Sequence, residues 1–163
     1  MPIIRFIILS FSLLIANTSN AQNTYIVSYV YDGDTVKLRS LNASGSQDAF
    51  KLRLTDIDAP ERNQPYGLKS RRALIKLCYG KKIIATIKIS GTDQYNRALG
   101  RLQCDDIDAS LYLAERGLAW HYAQYSQDIE IQKAAQNARR LTLGLWADDK
   151  PTPPWVWRQH FMH

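Results

Sequence analysis

Three charged residues within nine positions have the types needed for chemistry on a phosphate. Arg53, Asp58 and Glu61 lie in a segment that passes from a strand-like pattern into a proline-containing loop. Carboxylates are the ligands that hard cations prefer, and a guanidinium binds a phosphate through two parallel hydrogen bonds. The segment therefore predicts either a cation held beside a phosphate or a strand end with solvated charges.

The residues around this segment predict how its charges are held. Leu52 and Leu54 alternate with polar residues, which is the period of a strand with one buried face. Arg53 should therefore point away from the core, and Pro60 should end the strand so that Glu61 lies in a loop. On this basis, replacing Arg53 or Glu61 is expected to change the free energy of unfolding by at most about 1 kcal/mol.

Two further segments add charges of the same kinds. Asp-Gly-Asp-Thr-Val at 32–36 joins two alternating runs, and its Asp-Gly pair is typical of a tight hairpin turn. Such a turn gives no reason for the second aspartate, Asp34. Asp-Gln-Tyr-Asn-Arg at 93–97 joins two more strand-like runs and brings a second arginine, Arg97.

Five motifs in this chain resemble those of the staphylococcal nuclease (thermonuclease) family. They are Asp-Gly-Asp-Thr-Val at 32–36, Arg-Leu-x-x-Ile-Asp-Ala-Pro-Glu at 53–61, Asp-x-Tyr-x-Arg at 93–97, Gly-Leu-Ala-Trp at 117–120 and Gly-Leu-Trp at 144–146. One such motif alone is a weak signal, whereas five in the family's order, over about residues 24–149, are specific.

The resemblance implies a Ca²⁺ site made of oxygen ligands. The matching positions are Asp34, Asp58 and the backbone carbonyl of Ala59. Asp32 would either contact these ligands without binding the cation itself or stabilise the turn. So few protein ligands leave room for water and a substrate phosphate, as a catalytic cation requires. The three histidines have no metal-type spacing with the two cysteines, so a zinc site is not expected.

The resemblance also implies the groups that act on a phosphodiester. Glu61 matches the family's carboxylate that orients or deprotonates the attacking water. Arg53 and Arg97 match the pair that grips the scissile phosphate, a task that the planar guanidinium performs better than lysine.

Tyrosines in or shortly after the motifs could contact substrate, and some motif positions depart from the family pattern. Tyr95 and one of Tyr122 or Tyr125 would contact substrate, with packing at the barrel edge as an equal alternative. Gln94 stands where the family's prototype has lysine, so the affinity for a terminal phosphate is expected to be lower. Asn96 replaces glycine, a tolerable change because asparagine also adopts positive φ.

The hydrophobic pattern predicts an α+β fold, mainly β: a five-stranded OB-type barrel with three helices, which the resemblance also implies. Strands are expected at 24–31, 35–41, 48–55, 83–89 and 98–104, and helices at 66–79, 108–117 and 128–143. OB barrels bind oligonucleotides on an open face. The formal net charge of +6, from 21 Lys and Arg against 15 Asp and Glu, likewise favours polyanions.

Both ends of the chain lie outside the predicted domain at 22–149. Residues 1–21 carry one charge, Arg5, then an apolar run and small residues up to Ala21, the pattern of a cleaved secretory signal peptide. An uncleaved membrane anchor is the alternative. Residues 150–163 are rich in Pro and Trp; we expect the tryptophans to pack back on the domain and assign this tail no function.

Two cysteines in an exported chain predict one disulfide. Cys78 lies at the end of the first predicted helix and Cys104 at the end of the fifth predicted strand, opposite the start of the fourth. A bridge between them is geometrically reasonable, and two buried free thiols are the alternative.

Together these features predict a secreted or periplasmic, Ca²⁺-dependent nuclease of low sequence specificity. It would act as a monomer on DNA and RNA, with no membrane contact in its mature form, and the resemblance implies products that carry 3′-phosphates. A catalytically silent OB module that only binds nucleic acid is the alternative, and the set of Arg53, Glu61 and Arg97 counts against it. A secreted structural domain is a third hypothesis, and the presence of Asp34 and Asp58 counts against that one.

Overall fold

A computed structural model of the chain describes residues 24–41, 49–80 and 83–161. The predicted signal peptide, residues 1–21, lies outside the described residues. Within the described ranges, no helix combines the length and the apolar character needed to cross a lipid bilayer.

The described residues form eight strands and four α-helices. The strands are β1 (Thr24–Val30), β2 (Thr35–Ser40), β3 (Ala49–Leu54), β4 (Ile57–Asp58), β5 (Ala85–Thr92), β6 (Ala98–Cys104), β7 (Ile107–Asp108) and β8 (Trp120–His121). The helices are α1 (Gly67–Cys78), α2 (Ala109–Glu115), α3 (Ile129–Arg140) and α4 (Pro154–Phe161). A short 3-10 turn, Gly144–Ala147, lies between α3 and α4.

Five of the strands close into a barrel, which confirms the predicted fold. β1, β2 and β3 form an antiparallel meander, β5 and β6 form a hairpin, and β1 pairs with β5. A parallel pairing of β3 with β6, in which Leu52 lies opposite Ala98, closes the ring. The alternation of the strands buries one residue in two, so Leu38, Leu52 and Leu102 are fully buried in the core.

The β5–β6 hairpin extends beyond the predicted strand end at residue 89. The pairing shifts register between Ile89 and Gly91 and then continues to Thr92, which lies opposite Ala98. A bulge of this kind lets a strand continue with one unpaired residue and a sharper twist. The hairpin tip is therefore shorter than predicted, and it carries the 93–97 motif directly between two paired strands.

The prediction of three helices is wrong by one, because the C-terminal tail forms α4. This helix begins at Pro154, and proline suits a first helical position because its missing N–H has no partner there. The prolines of the tail separate α4 from α3 but do not prevent a new helix. Trp155 packs edge-on against Trp120, with ring centroids 5.6 Å apart, which confirms for this residue that the tail packs back on the domain.

Arg101 of β6 ties α2 and α3 to the barrel. Its Nε donates to Asp108 Oδ2 at 2.8 Å, and its Nη1 donates to Asp128 Oδ2 at 2.6 Å and to Asp56 Oδ2 at 3.2 Å. Asp108 and Asp128 are also the N-caps of α2 and α3, since each accepts backbone N–H groups of the helix that follows it. One guanidinium therefore fixes the start of both helices.

We expect Asp128→Ala to lower the free energy of unfolding by about 1 to 2 kcal/mol at pH 7. The hydrogen bond from the Ile131 N–H, followed by that from Arg101, lowers the pKa of Asp128. A lowered folded-state pKa means that this stabilisation is complete above the ordinary aspartate pKa of about 3.9 and is lost as the pH falls further. Urea denaturation of both proteins should give a constant difference down to about pH 4 and a shrinking one below it.

Asp128→Asn is the matched control, because asparagine keeps a cap acceptor but removes the charge. It should lose less stability than Asp128→Ala. A difference between the wild type and Asp128→Ala that stayed the same at every pH would contradict a role for the ionised carboxylate.

Cys78 at the end of α1 and Cys104 at the end of β6 are joined by a disulfide, with their Cα atoms 5.3 Å apart. Both residues are fully buried in the core. The bridge links a helix to the barrel wall across a sequence separation of 26 residues. In the chain-entropy description, a closed loop of that length stabilises the fold by about 3.5 kcal/mol.

Candidate active site

The candidate site lies where the end of β3 meets the β1–β2 turn and β4. Arg53 near the end of β3 contacts both predicted metal-ligand side chains: its Nε lies 3.2 Å from Asp34 Oδ1, and its Nη2 lies 2.8 Å from Asp58 Oδ1. Its Nη1 donates to the backbone carbonyls of Leu54 and Ile57. A single guanidinium therefore holds the two aspartates and the chain between them in one arrangement.

The β1–β2 turn presents Asp34 to this arginine. Asp32 Oδ1 accepts the N–H of Asp34 at 3.0 Å, so Asp32 serves the turn, one of its two expected roles. Asp34 Oδ2 accepts the N–H of Ala59 at 2.6 Å, which ties the turn to the segment after β4. Gly33 packs so closely on α1 that a Cβ there would lie 2.0 Å from Ser70 Oγ, so this turn requires glycine.

Asp58 is held by a strand pair that the sequence analysis did not predict. β4 pairs antiparallel with β8, placing Asp58 opposite Trp120 and Ile57 opposite His121. Asp58 is fully buried, and Asp34 and Ala59 are nearly so. A two-residue strand is too short to show a hydrophobic period, so residues 57–58 gave no strand signal.

Burial raises the pKa of both aspartates. It raises the pKa of Asp34 to about 7, although Arg53 opposes this shift. Burial likewise raises the pKa of Asp58, against the hydrogen bond that it accepts from Arg158, and the charge of Asp34 raises it further. A bound cation would stabilise the ionised form of both carboxylates, which burial otherwise disfavours. The oxygen atoms of Asp34 and Asp58 therefore fit a hard metal ion.

A cation at this point would depend on few protein ligands. The part of the chain that the structure describes has no group of three or more His, Cys, Asp or Glu side chains placed to hold a metal. The two aspartates and the carbonyl of Ala59 would therefore be completed by water or by a substrate oxygen, as hard cations with six to eight oxygen ligands require.

Glu61 lies in the loop after β4, and its carboxylate contacts the C-terminal helix. Its Oε1 accepts a hydrogen bond from Arg158 Nη1 at 2.8 Å, and Arg158 Nη2 donates to Asp58 Oδ2, also at 2.8 Å. The backbone N–H of Glu61 donates to Gln64 Oε1 at 3.1 Å, which fixes the loop. Sequence reasoning missed Arg158, because its partners lie 97 and 100 residues away and no local motif marks such a contact.

Arg97 approaches the site from the β5–β6 hairpin. Asp93 Oδ2 accepts from its Nε at 2.8 Å, and its Nη1 lies 3.5 Å from Thr35 Oγ1. That hydroxyl donates to Asp34 Oδ1 at 3.1 Å, so a single side chain separates Arg97 from the aspartates. Asn96 has a φ of 58°, the positive value expected at this position. The structure therefore brings Arg97 to the same end of the barrel as Arg53.

The three candidate tyrosines have different surroundings. Tyr122 stacks on Trp155 with ring planes 12° apart, so it has the packing role that the sequence left open. Burial, followed by the charge of Asp58, raises the pKa of its hydroxyl. Tyr95 and Tyr125 are about 70% exposed and leave ring surface open to a base.

Arg53 is less accessible than the sequence suggested. Its side chain is 12% exposed and lies between the two aspartates, so the reason for expecting nearly unchanged stability on its replacement does not hold. Breaking a buried ion pair by removing one partner typically costs about 3 to 5 kcal/mol. A loss of activity in an Arg53 variant could therefore come either from the loss of a catalytic group or from unfolding. Variants of Glu61 and Arg97 are expected to stay folded, so their activities report on catalysis.

The chain belongs to the staphylococcal nuclease family, and its five-stranded barrel is consistent with that family's fold. The family model, described as staphylococcal nuclease homologue, matches residues 51–148. An uncharacterized endonuclease of Haemophilus influenzae is 36% identical over 153 residues, which cover 94% of this chain and 82% of that protein. An uncharacterized endonuclease of Escherichia coli is 36% identical over 130 residues, 79% of this chain and 80% of the relative.

A plant relative is similar over a smaller part of its own length. The probable staphylococcal-like nuclease CAN1 of Oryza sativa is 36% identical over 121 residues, which cover 72% of this chain and 36% of the plant protein. The similarity therefore concerns little more than a third of this longer protein.

Proposed function

We propose that this chain is a nuclease that hydrolyses phosphodiester bonds in DNA and RNA, with low sequence specificity and with Ca²⁺ as its cofactor. The observation that carries the proposal is the joining of two buried aspartates by Arg53, with Glu61 and Arg97 at the same end of the barrel. Membership of the family and the relatives named as nucleases and endonucleases support it.

Asp34, Asp58 and the carbonyl of Ala59 would hold the cation. When bound, Ca²⁺ would stabilise the negative charge that develops on the phosphate oxygens. The chain prepares this place by enclosing both carboxylates and by fixing Asp34 to the Ala59 N–H at 2.6 Å. A site fixed in advance does not have to reorganise when charge develops, which is the main source of electrostatic catalysis.

Glu61, Arg97 and Arg53 have different roles in the hydrolysis of the phosphodiester. Glu61 orients the attacking water and accepts its proton. As the water oxygen bonds to phosphorus, the bond to the 5′ oxygen breaks, this oxygen takes up a proton from solvent to become a hydroxyl, and the 3′-phosphate remains on the product. Arg97, whose guanidinium is half-buried, binds the phosphate through its planar fork. Arg53, fixed by its carboxylate and carbonyl acceptors, supplies positive charge with little freedom to move.

We expect purified protein to cleave supercoiled plasmid DNA with Ca²⁺ and to lose that activity in excess EGTA. Mg²⁺ should support little cleavage, because it demands tight octahedral geometry and releases its waters reluctantly. The fold should survive chelation, since the barrel has its own apolar core. Gel assays with each cation, beside circular dichroism in EGTA, check both points.

The same assay separates the competing hypotheses. A silent binding module would shift the plasmid in a gel without cutting it under any condition. A structural domain would do neither. Undiminished cleavage in excess EGTA would contradict the cation requirement.

We also propose that the chain is exported and that its signal peptide is cleaved. The disulfide supports this, because such bonds persist in oxidising compartments. Intact-mass analysis of the periplasmic and medium fractions after alkylation without reductant should give a chain starting near Gln22 with neither cysteine alkylated. Two alkylated thiols in exported protein would contradict the bridge.

We propose that the protein acts as a monomer, because the side chains of the site contact one another within a single chain. Light scattering after size exclusion should give the mass of a single chain.

A further inference from the structure

The C-terminal helix α4 contributes a third arginine to the site. Arg158 Nη2 donates to Asp58 Oδ2 at 2.8 Å, and its Nη1 donates to Asp58 Oδ1 at 3.2 Å and to Glu61 Oε1 at 2.8 Å. These are charge-assisted bonds in the forked geometry that guanidinium and carboxylate groups favour. Arg158 thus contacts both a proposed metal ligand and the proposed water-activating carboxylate.

The position of α4 does not depend on this arginine. Trp155 stacks on Tyr122, with ring centroids 5.7 Å apart, and the Thr152 carbonyl just before the helix accepts from Gln64 Nε2 at 2.6 Å. The helix is therefore held by aromatic packing and by a backbone contact. The long side chain of Arg158, 36% exposed, is the part that can move while the helix stays in place.

A cation at Asp58 would meet Arg158 on the same oxygens. Arg53 and Arg158 both donate to Asp58 Oδ1, and among the described residues Arg158 is the donor to Oδ2. Arg53 is 12% exposed, so the more exposed Arg158 lies on the solvent side of the carboxylate. A divalent ion in contact with Asp58 would be strongly repelled by a guanidinium bound to the same group.

We propose that Arg158 is a further residue of this site, a counter-ion that a divalent cation must displace from Asp58. The C-terminal helix then sets the affinity for the cation, since each ion that binds must first break two hydrogen bonds to Asp58. The inference rests on the proposed metal site. After displacement, the side chain keeps Glu61 as a partner and remains beside the reacting groups.

Calcium binding measured by isothermal titration calorimetry, without substrate, tests this competition. Arg158→Gln should bind Ca²⁺ at least about fivefold more tightly than the wild type, the lower end of typical coupling between two ligands. Arg62→Gln is the matched control: it removes the same charge next to Glu61, its side chain is exposed, and no ion pair holds it among the described residues. Its affinity should stay within about twofold of the wild type, since exposed charges are screened by salt.

Thermal unfolding gives a second readout that a purely structural role would not produce. Arg158→Gln removes a counter-charge of buried Asp58, so its melting temperature in EDTA should be below that of the wild type. Added Ca²⁺ should raise the melting temperature of the variant more than that of the wild type, because tighter binding to the folded state stabilises it more. If Arg158 had only a structural role, the variant would melt below the wild type by the same amount in EDTA and in Ca²⁺.

The outcomes separate this inference from the proposed function. Calcium affinity that is unchanged or weaker in Arg158→Gln would overturn the competition and leave the metal site standing. If Ca²⁺ bound to neither protein, the metal site itself would be wrong, and the inference would be overturned with it.

Discussion

Glu61→Gln is expected to lower kcat for DNA cleavage by about 10² to 10⁴-fold, because glutamine cannot accept the proton of the attacking water. The substitution keeps the shape of the side chain and an oxygen that can still accept from Arg158. Glu61 lies in a loop outside the core cluster, so the free energy of unfolding of the variant should differ from that of the wild type by no more than about 1 kcal/mol. Initial rates of plasmid cleavage in Ca²⁺, with urea denaturation of the same samples, measure both quantities.

Glu115→Gln is the control for this prediction. Glu115 is an exposed glutamate whose ion-pair partner is the neighbouring Arg116. The same chemical change there should leave the rate unaltered. A Glu61→Gln protein that cut DNA at nearly the wild-type rate would show that this carboxylate does not activate water.

Arg97→Lys should lower the rate of cleavage by about 10²-fold or more while the protein remains stable. Lysine keeps the charge but loses the planar fork, and losing one donor to the transition state typically costs that much. Arg97 is half-buried and its ion-pair partner is Asp93 at the tip of the same hairpin, so the barrel does not depend on it. Single-turnover rates with saturating protein separate this loss from weaker substrate binding.

Arg101→Lys, in the same β5–β6 hairpin, should give the opposite result. Arg101 holds the N-caps of α2 and α3 and contacts neither Asp34 nor Asp58. Its replacement should lower the free energy of unfolding, while the rate per folded molecule stays close to the wild type. If Arg97→Lys lost stability and kept its rate, Arg97 would be a structural residue like Arg101.

The parts of the fold that could be predicted are those whose cause is local in the sequence. The alternation of Leu52 and Leu54 around Arg53 gave the strand and the side on which its guanidinium lies. The Asp-Gly pair gave the β1–β2 turn, and Asp108 and Asp128 gave the starts of two helices. Each depends on the conformational preference of a few consecutive residues, and the structure reproduces each of them.

The parts that could not be predicted depend on contacts between distant residues. The alternation of the strand shows on which face the Arg53 side chain lies. It does not show that Asp34 and Asp58 contact the guanidinium, and these contacts are the reason that the side chain is buried. β4 is two residues long, and the partner that orders it lies more than sixty positions later. Arg158 lies in a tail whose composition carries no chemical motif, so only the folded chain shows its contact with Asp58.

The dependence of plasmid cleavage on free Ca²⁺, compared between the wild type and Asp58→Asn, tests the central claim most directly. Asparagine preserves the size of Asp58 but removes the charge that would hold the cation. We expect the wild-type rate to rise with free Ca²⁺ and to saturate. The folded variant should need at least about tenfold more Ca²⁺ or show no cleavage, because losing even a hydrogen-bond partner of a metal ligand typically costs about 10- to 100-fold in affinity. Identical calcium curves for the two proteins would contradict a catalytic cation at Asp34 and Asp58.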